Sequence, residues 1–174
     1  MDESTPAPGE LALVERFVNT ADLDRGTDEL GDTVSLTAWL TAAGLAGPRD
    51  RFGAADRERV VAFREALRAR LLANQGAAPA PDTIDSAPLV AAFDADGTVR
   101  LSPARGGADG VLARLLAIIA RSQAEGTWRR LKACPNDTCG WAFYDRSRNR
   151  SRTWCRMSGC GNRAKARSYR ARHR

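Results

Sequence analysis

Two cysteine pairs decide the fold of the carboxy-terminal part of the chain: Cys-Pro-Asn-Asp-Thr-Cys at 134–139 and Cys-Arg-Met-Ser-Gly-Cys at 155–160. The chain has 4 cysteines in all. Two short pairs separated by a loop suit a tetrahedral ion, because each pair spans one edge of the tetrahedron. Four thiolates favour zinc, or less often an iron centre, over calcium or magnesium. The pattern predicts one zinc ion per chain, bound by Cys134, Cys139, Cys155 and Cys160.

Two disulfides or free structural cysteines are the alternatives, and the expected compartment argues against the disulfides. Residues 1–9 are acidic and contain proline, without the basic flank and apolar run of a secretory signal. The longest apolar run, residues 111–120, is interrupted by Arg114 and is shorter than the ~20 residues that span a bilayer. We therefore expect a cytoplasmic protein without a membrane segment, in which thiols stay reduced.

The predicted zinc is structural rather than catalytic. A catalytic site keeps an open coordination position and normally carries His, Glu or water, whereas four thiolates leave no vacancy. The one histidine, His173, stands next to the carboxyl terminus. A module of under ~50 residues buries too little apolar surface to fold alone, and a structural zinc contributes on the order of 10 kcal/mol of apparent binding energy.

Charge is divided unevenly along the chain. From Arg121 onward there are 15 Lys and Arg against 3 acidic residues, whereas the first 120 residues hold 12 basic and 18 acidic side chains. With four thiolates and a divalent ion included, the basic end keeps a net charge of about +10. Such asymmetry favours a polyanionic partner for that end.

The basic residues follow two patterns. Between the cysteine pairs arginine occupies every second position, so an extended segment would carry these guanidinium groups on one side. After Cys160 the chain lacks proline and is rich in alanine, which favours a helix with four arginines along one face. Arginine and lysine so placed bind phosphates, and arginine also grips guanine. The alternative is a solvated basic tail. The predicted nucleic-acid-binding residues are Arg146, Arg148, Arg150, Arg152, Arg163, Lys165, Arg167, Arg170 and Arg174.

Apolar residues at helical spacing organise the first 126 residues. A polar stretch, residues 22–32, is predicted to be a loop, and the proline-rich residues 77–88 a linker. The predicted helices cover residues 9–20, 33–43, 56–74 and 109–123, and residues 89–93 and 98–101 form a hairpin around an Asp-Ala-Asp-Gly turn. The fold class is therefore α+β: a mainly helical domain at 1–126 with a small β-hairpin, followed by a four-cysteine finger at 127–174.

The cysteine block extends to a longer motif that ends in Cys-Gly-Asn-Arg at 160–163, with Gly-Trp-Ala-Phe-Tyr-Asp-Arg-Ser-Arg-Asn at 140–149. It strongly resembles the CGNR zinc finger family of bacteria. Upstream, Phe-Val-Asn-Thr at 17–20 and Leu-Thr-Ala-Trp-Leu-Thr-Ala-Ala-Gly-Leu at 36–45 look like the ABATE domain that usually precedes this finger. The resemblance implies a zinc-ribbon or treble-clef finger that contacts DNA and an amino-terminal domain that senses a ligand, together a stress-responsive transcription regulator.

The resemblance also gives expectations for single residues. Asn162 is expected to bond backbone near the second pair, and Arg163 to pair with Asp145. Asn19, Thr20 and Trp39 are candidate residues of an effector pocket, although residues of this kind more often cap helices or fill a core.

The leading hypothesis is a DNA-binding regulator, nucleoid-associated when bound, whose amino-terminal domain binds a small effector or mediates assembly. Because a single finger buries little surface, a homodimer is a candidate state. Zinc modules also bind RNA or proteins, which is the main alternative. Redox sensing through zinc release is another alternative. An enzyme is disfavoured, because the amino-terminal region has no histidine, cysteine, phosphate loop or nucleophile elbow.

Overall fold

A computed structural model describes residues 5–77, 79 and 84–173. Part of the predicted linker, residues 78 and 80–83, lies outside the described residues, as does Arg174.

Four α-helices occupy the segments that the apolar periodicity predicts, with ends shifted by a few residues, and a fifth follows Cys160, as the alanine-rich sequence there predicts. Local hydrogen bonds fix their starts: the Asp32 carboxylate accepts from the Ser35 N–H at 2.8 Å, and the Asp56 carboxylate from the Gly53 N–H at 2.9 Å. Gly44, with a φ of +71°, follows the second helix as its stop. The helices are α1 Leu11–Val18, α2 Thr33–Ala42, α3 Ala54–Ala73, α4 Gly107–Ala124 and α5 Asn162–Arg172.

The strands form three antiparallel pairs. They are β1 Ala21–Asp22 with β2 Thr27–Asp28, β3 Leu89–Phe93 with β4 Val99–Pro103, and β5 Leu131–Ala133 with β6 Ala142–Tyr144. The first pair corrects the prediction of a plain loop over residues 22–32. The Asp22 carboxylate accepts from the N–H groups of Asp24 and Arg25, both at 3.1 Å, and so closes a tight turn inside the segment.

One hydrophobic core joins the amino-terminal helices to the finger. Phe17 of α1, Phe63 of α3 and Leu112 of α4 are fully or almost fully buried in it. The strands of the finger contribute Leu131, Ala133, Ala142 and Tyr144 to this same cluster. The β5–β6 hairpin therefore packs against α1 and α3 and shares their hydrophobic core, so it is not an independently packed module.

The architecture is α+β, as predicted: helices with small antiparallel sheets, followed by a four-cysteine cluster. In the part of the chain that the structure describes, no helix is both long and apolar enough for a bilayer crossing.

Candidate metal centre

The first cysteine pair lies at the closed end of the β5–β6 hairpin. Strand pairing brings Ala133 opposite Ala142, and the next N–H, that of Cys134, donates to the Trp141 carbonyl at 2.9 Å. The Cys139 N–H donates to the Asn136 carbonyl at 2.8 Å, which tightens the turn between the two cysteines. These bonds bring both sulfurs together at the turn formed by residues 134–140, which we call the zinc knuckle.

The second pair frames a π-helical turn, Met157–Gly161, that runs directly into α5. Cys155 precedes the turn and Cys160 lies within it. The Asn162 amide donates to the Ser158 carbonyl at 3.3 Å, as expected for a residue that bonds backbone near this pair. The fourth cysteine thus opens the carboxy-terminal helix and ties its first turn to the knuckle.

The four sulfurs meet in one cluster whose dimensions fit a metal ion. All four Sγ atoms lie within 4.8 Å of one another. Cys139 Sγ and Cys155 Sγ are 3.6 Å apart, and Cys155 Sγ and Cys160 Sγ are 3.8 Å apart. A tetrahedron with Zn–S bonds of about 2.3 Å has edges of about 3.8 Å, whereas a disulfide needs about 2.05 Å. All four cysteines are free of disulfides, and together they form the ligand set of one structural zinc ion.

Charge also favours a cation at the centre of the cluster. In the absence of a metal ion, hydrogen bonds from the thiols of Cys139 and Cys155 lower the pKa of Cys134 to about 2. The same bond to Cys134 raises the pKa of Cys139 to about 12, and bonds to Cys134 and Cys139 raise the pKa of Cys155 strongly. A negative charge on one sulfur therefore opposes ionisation of its neighbours unless a positive ion compensates it. When bound, zinc supplies that compensation and a rigid four-way crosslink.

Aromatic side chains enclose the cluster. Phe143 is fully buried against the cysteines, and Trp141 and Trp154 pack partly buried beside it. Tyr144, which follows Phe143 on β6, belongs to the main core instead.

A buried ion pair, not an extended strand, organises the arginine-rich loop between the cysteine pairs. The Asp145 carboxylate, fully buried, lies 2.7 Å from Lys132 Nζ and accepts from the Ser147 and Arg152 N–H groups at 2.9 and 3.0 Å. Lys132 Nζ also donates to the carbonyls of Arg150 and Arg152. Burial alone would raise the pKa of Asp145, but the bonds from Lys132 and Ser147 outweigh it and hold that pKa at about 2.

This network overturns the expectation of four guanidinium groups on one side of an extended segment. The loop turns at 147–150, where Arg150 has a φ of +53°. It turns because the carbonyls of Arg150 and Arg152 both accept hydrogen bonds from the Lys132 ammonium. Arg152 lies over the Phe143 ring at 4.8 Å and donates to the carbonyls of Trp154 and Cys155, so it is a structural part of the finger. Arg146 donates to the Pro6 carbonyl at 2.7 Å.

Helix α5 carries the remaining basic residues, with no buried side chain along its length. The motif led us to expect a pair between Arg163 and Asp145, and this prediction is wrong. The Arg163 guanidinium donates to Cys160 Sγ at 3.2 Å and to Asp24 at 3.3 Å, since Lys132 already occupies Asp145. Arg167 donates to the Asn136 side chain at 3.2 Å. Lys165 and Arg170 are exposed, and Arg174 of the predicted set lies outside the described residues.

Side chains of the amino-terminal domain hold the zinc knuckle from the other side. Arg68 of α3, 5% exposed, donates to the Gly140 carbonyl at 2.7 Å and to the Val18 carbonyl at 2.8 Å. Gly140 has a φ of +56°, and a side chain there would contact Arg68 and Leu23 too closely. These contacts fix the position of the residue that follows Cys139.

Two amide side chains extend the same interface. Asn74 donates to the Leu131 carbonyl at 2.9 Å, and Gln75 donates to the Ala133 carbonyl. Sequence reasoning missed Arg68, Asn74 and Gln75, because their partners lie more than 50 residues away along the chain.

The three residues proposed for an effector pocket have contacts within the protein. The Asn19 amide exchanges two hydrogen bonds with the Ala142 backbone of β6, at 2.7 and 2.9 Å. Thr20 is buried, and its hydroxyl donates to the Phe17 carbonyl and accepts from Arg64. Trp39 packs on Phe17 with ring centroids 5.9 Å apart. Asn19 and Thr20 thus act in the junction between helix α1 and its neighbours, and an effector role for the three residues stays a prediction.

A cleft of about 320 Å³ separates the β1–β2 turn from the finger. Its lining includes Asp24 and Arg25 from the turn, Arg156 and Arg163 from the finger, and three of the four ligand cysteines. The cleft joins segments more than 110 residues apart, which no local sequence pattern reveals.

Two family models match successive parts of the chain. No curated protein matches the sequence. The model of the CGNR zinc finger family matches residues 130–173, which contain the four cysteines and α5. The ABATE model, described as "Putative stress-induced transcription regulator", matches residues 11–126, well over half of the chain. The chain therefore belongs to the ABATE family and carries its domain in front of a carboxy-terminal CGNR zinc finger.

Proposed function

We propose that this protein is a DNA-binding transcription regulator in which the zinc-stiffened finger docks on the duplex. The observation that carries the proposal is the uncompensated basic surface of the finger. After Asp145 the sequence contains no acidic residue, while eleven Lys and Arg follow. Among the described residues, the side chains of Arg148, Arg150, Lys165 and Arg170 have no hydrogen-bonded partner, which leaves them available for phosphates.

Rigid support makes this surface more than a charged tail. Two contacts fix the start of α5. Cys160, a zinc ligand, lies in the turn directly before the helix, and the guanidinium of Arg163 in the first helical turn donates to the sulfur of Cys160. The loop that presents Arg148 and Arg150 is held by the Lys132–Asp145 pair. Because these supports fix the backbone before binding, less conformational entropy is lost when phosphates are contacted. Arg146, Arg163 and Arg167 would reach DNA only by exchanging their present partners, and Arg152 is assigned to the finger itself.

The salt dependence of binding tests the role of α5. Titration of a labelled duplex is followed by fluorescence anisotropy from about 50 to about 300 mM salt, where each phosphate contact contributes about 0.9 to the slope of log K against log salt. Replacing Arg167 and Arg170 by alanine is expected to weaken binding to all duplexes and to reduce the slope by up to about 2. Arg49→Ala/Arg105→Ala, a matched pair of exposed arginines on the amino-terminal domain, is the control. An unchanged slope in the α5 variant would show that the helix is only solvated.

The main alternative is a finger that binds RNA. Competition at fixed salt between the labelled duplex and unlabelled structured RNA separates the two functions. Duplex binding that survives an excess of RNA supports the proposal, whereas displacement by far less RNA than DNA rejects it.

The amino-terminal domain acts, in this proposal, as a regulatory element rather than an enzyme, in a cytoplasmic protein. The cleft between the β1–β2 turn and the finger is where a small effector would touch both parts of the chain. An effector there would compete with the Asp24–Arg163 contact, whose atoms are 3.3 Å apart, and so change the basic surface beside Cys160.

A further inference from the structure

Helix α5 turns one face to the protein and the opposite face to solvent. Arg163 donates to Asp24 at 3.3 Å, and Arg167, one turn later, donates to Asn136 at 3.2 Å. These two arginines therefore mark the inner face of α5, which contacts the β1–β2 turn and the zinc knuckle. Lys165 stands two positions from each of them, and about 100° of rotation per residue places it on the opposite side of the helix.

The outer face of α5, defined by Lys165, Tyr169 and Arg172, combines two cations with an aromatic ring. The spacing i, i+4 and i+7 aligns these three side chains along the helix axis. All three are exposed, and Tyr169 keeps 59% of its surface accessible. In the part of the chain that the structure describes, neither cation pairs with a carboxylate and the Tyr169 hydroxyl has no hydrogen-bond partner. The outer face therefore keeps its binding groups free, whereas the inner face has spent two of its arginines on the protein.

The ring of Tyr169 is held in a fixed position although it is exposed. The ring of His173 stacks on it with centroids 4.2 Å apart and 22° between the planes, and His173 Nδ1 lies 3.0 Å from the Tyr169 carbonyl oxygen. A side chain that is already held loses less conformational entropy when it binds. Tyrosine also joins an apolar ring to a polar tip, a combination enriched at interfaces. The stack thus points to a ligand independently of the charge.

Charge and dimensions of the outer face fit the major groove of DNA. From Lys165 to Arg172 the helix rises by about 10 Å. The major groove of B-DNA is about 12 Å wide and admits an α-helix, so cations at both ends of the face reach phosphates while the ring between them meets base edges. Ala166 and Ala171 flank the face with small side chains, which keep the helix narrow. The major groove of an RNA duplex is too narrow and deep for side chains to read, and this favours DNA.

From the inward contacts of one face and the fixed tyrosine on the other, we propose that the outer face of α5 enters the DNA major groove. Lys165 and Arg172 bind phosphates, and Tyr169 contacts base edges as the residue that determines sequence preference. The apolar ring suits the thymine methyl group, and the hydroxyl suits an acceptor on a neighbouring base. This inference rests on the proposed DNA-binding function and adds to it which face docks and which side chain touches the bases.

Two double variants of equal charge separate the faces in the full-length, zinc-loaded protein. Lys165→Ala/Arg172→Ala removes two charges from the outer face, and Arg167→Ala/Arg170→Ala removes two charges elsewhere on the same helix. The outer-face variant should reduce the slope of log K against log salt by about 1.8 and the affinity for a labelled duplex at about 100 mM salt at least tenfold. The second variant should lose less of both. Alanine favours a helix, so circular dichroism and zinc content should stay unchanged in both variants.

The outcomes distinguish the inference from the function on which it rests. Equal losses in the two variants, or a larger loss in Arg167→Ala/Arg170→Ala, overturn the inference and leave DNA binding intact. An unaltered protein that binds no duplex, or that releases the duplex to far less structured RNA than DNA, refutes the proposed function and the inference together.

Photochemical crosslinking tests the role of the tyrosine directly. A duplex with 5-iodouracil in place of thymine carries its photoreactive iodine at the methyl position of the major groove. Irradiation of the complex should attach the DNA to Tyr169, located by mass spectrometry, and leave the buried Tyr144 unmodified as an internal control. Tyr169→Phe should keep the crosslink, whereas Tyr169→Ala should lose it without a change in salt slope. Crosslinks found only outside α5 in a duplex that is bound overturn the inference.

Discussion

Replacing Arg68 by methionine should loosen the zinc knuckle without touching any of its ligands. The guanidinium of Arg68 joins three parts of the chain: the Gly140 carbonyl behind Cys139, the end of α1 at Val18, and Glu65 on its own helix. Methionine replaces the apolar stem of the arginine side chain but donates no hydrogen bond. The Gly140 carbonyl would then be left without this partner in an interior position.

The structure allows the magnitude to be worked out. A hydrogen bond to a charged group contributes about 1.5–3 kcal/mol, and loss of one partner of a buried charged network costs about 3–5 kcal/mol. Because Glu65 is half exposed and partly rehydrated, we expect a loss of about 3–4 kcal/mol in the free energy of unfolding. If about half of this falls on the knuckle contact, zinc dissociates more than tenfold faster, since 1.4 kcal/mol corresponds to a factor of ten.

Arg64→Met is the matched control, because Arg64 is equally buried on α3 but bonds Asp28, Thr20 and Glu65, all within the amino-terminal domain. Urea unfolding measures the stability of both variants, and transfer of zinc to a chromogenic chelator measures release. Both variants should lose similar stability, and only Arg68→Met should release zinc much faster. Equal release rates at equal stability would refute the idea that Arg68 positions the knuckle.

Two further predictions concern the finger itself. Cys155→Ser should reduce zinc from one ion per chain to a small fraction, measured by metal analysis against Ser158→Ala as control, and stoichiometric zinc in a folded variant would contradict the ligand set. The Asp145 carboxyl has a folded pKa of about 2 against an ordinary 3.8, so its contribution is complete above about pH 4 and is lost as pH falls through about 2. The cysteine thiolates lose zinc to protons before so low a pH is reached, so the difference in unfolding free energy between the unaltered protein and Asp145→Asn should stay constant between about pH 5 and pH 8. A difference that changes over that range would show that the Lys132 pair does not hold the pKa of Asp145 low.

The sequence suffices for the metal site because its information is local. Paired cysteines at short spacing place their sulfurs together whatever surrounds them, and the sulfur cluster has the predicted members. The helices could be predicted equally well, because an apolar stripe with a period of 3.6 residues indicates a helix whatever surface the helix packs against.

Long-range partners explain what the sequence could not provide. Alternating arginines at 146–152 favour an extended strand only if nothing competes for their backbone, and the Lys132 ammonium does compete. Similarly, Arg163 had several carboxylates within reach in principle, and only the fold shows that Asp145 is occupied and Asp24 is near. The link from Arg68 to Gly140 spans 72 residues and has no signature in either segment.

The packing of β5 and β6 on α1 and α3 has a practical consequence for protein engineering. Leu131 and Tyr144 bury their side chains among residues of the helices. A fragment that begins at the finger would therefore expose these apolar side chains to water and lose the hydrogen bonds from Arg68 and Asn19. Grafting this finger onto another protein would require the recipient to provide a matching apolar surface. Exchange of fingers between related proteins is expected to give a folded product only when α1 and α3 are transferred with the finger.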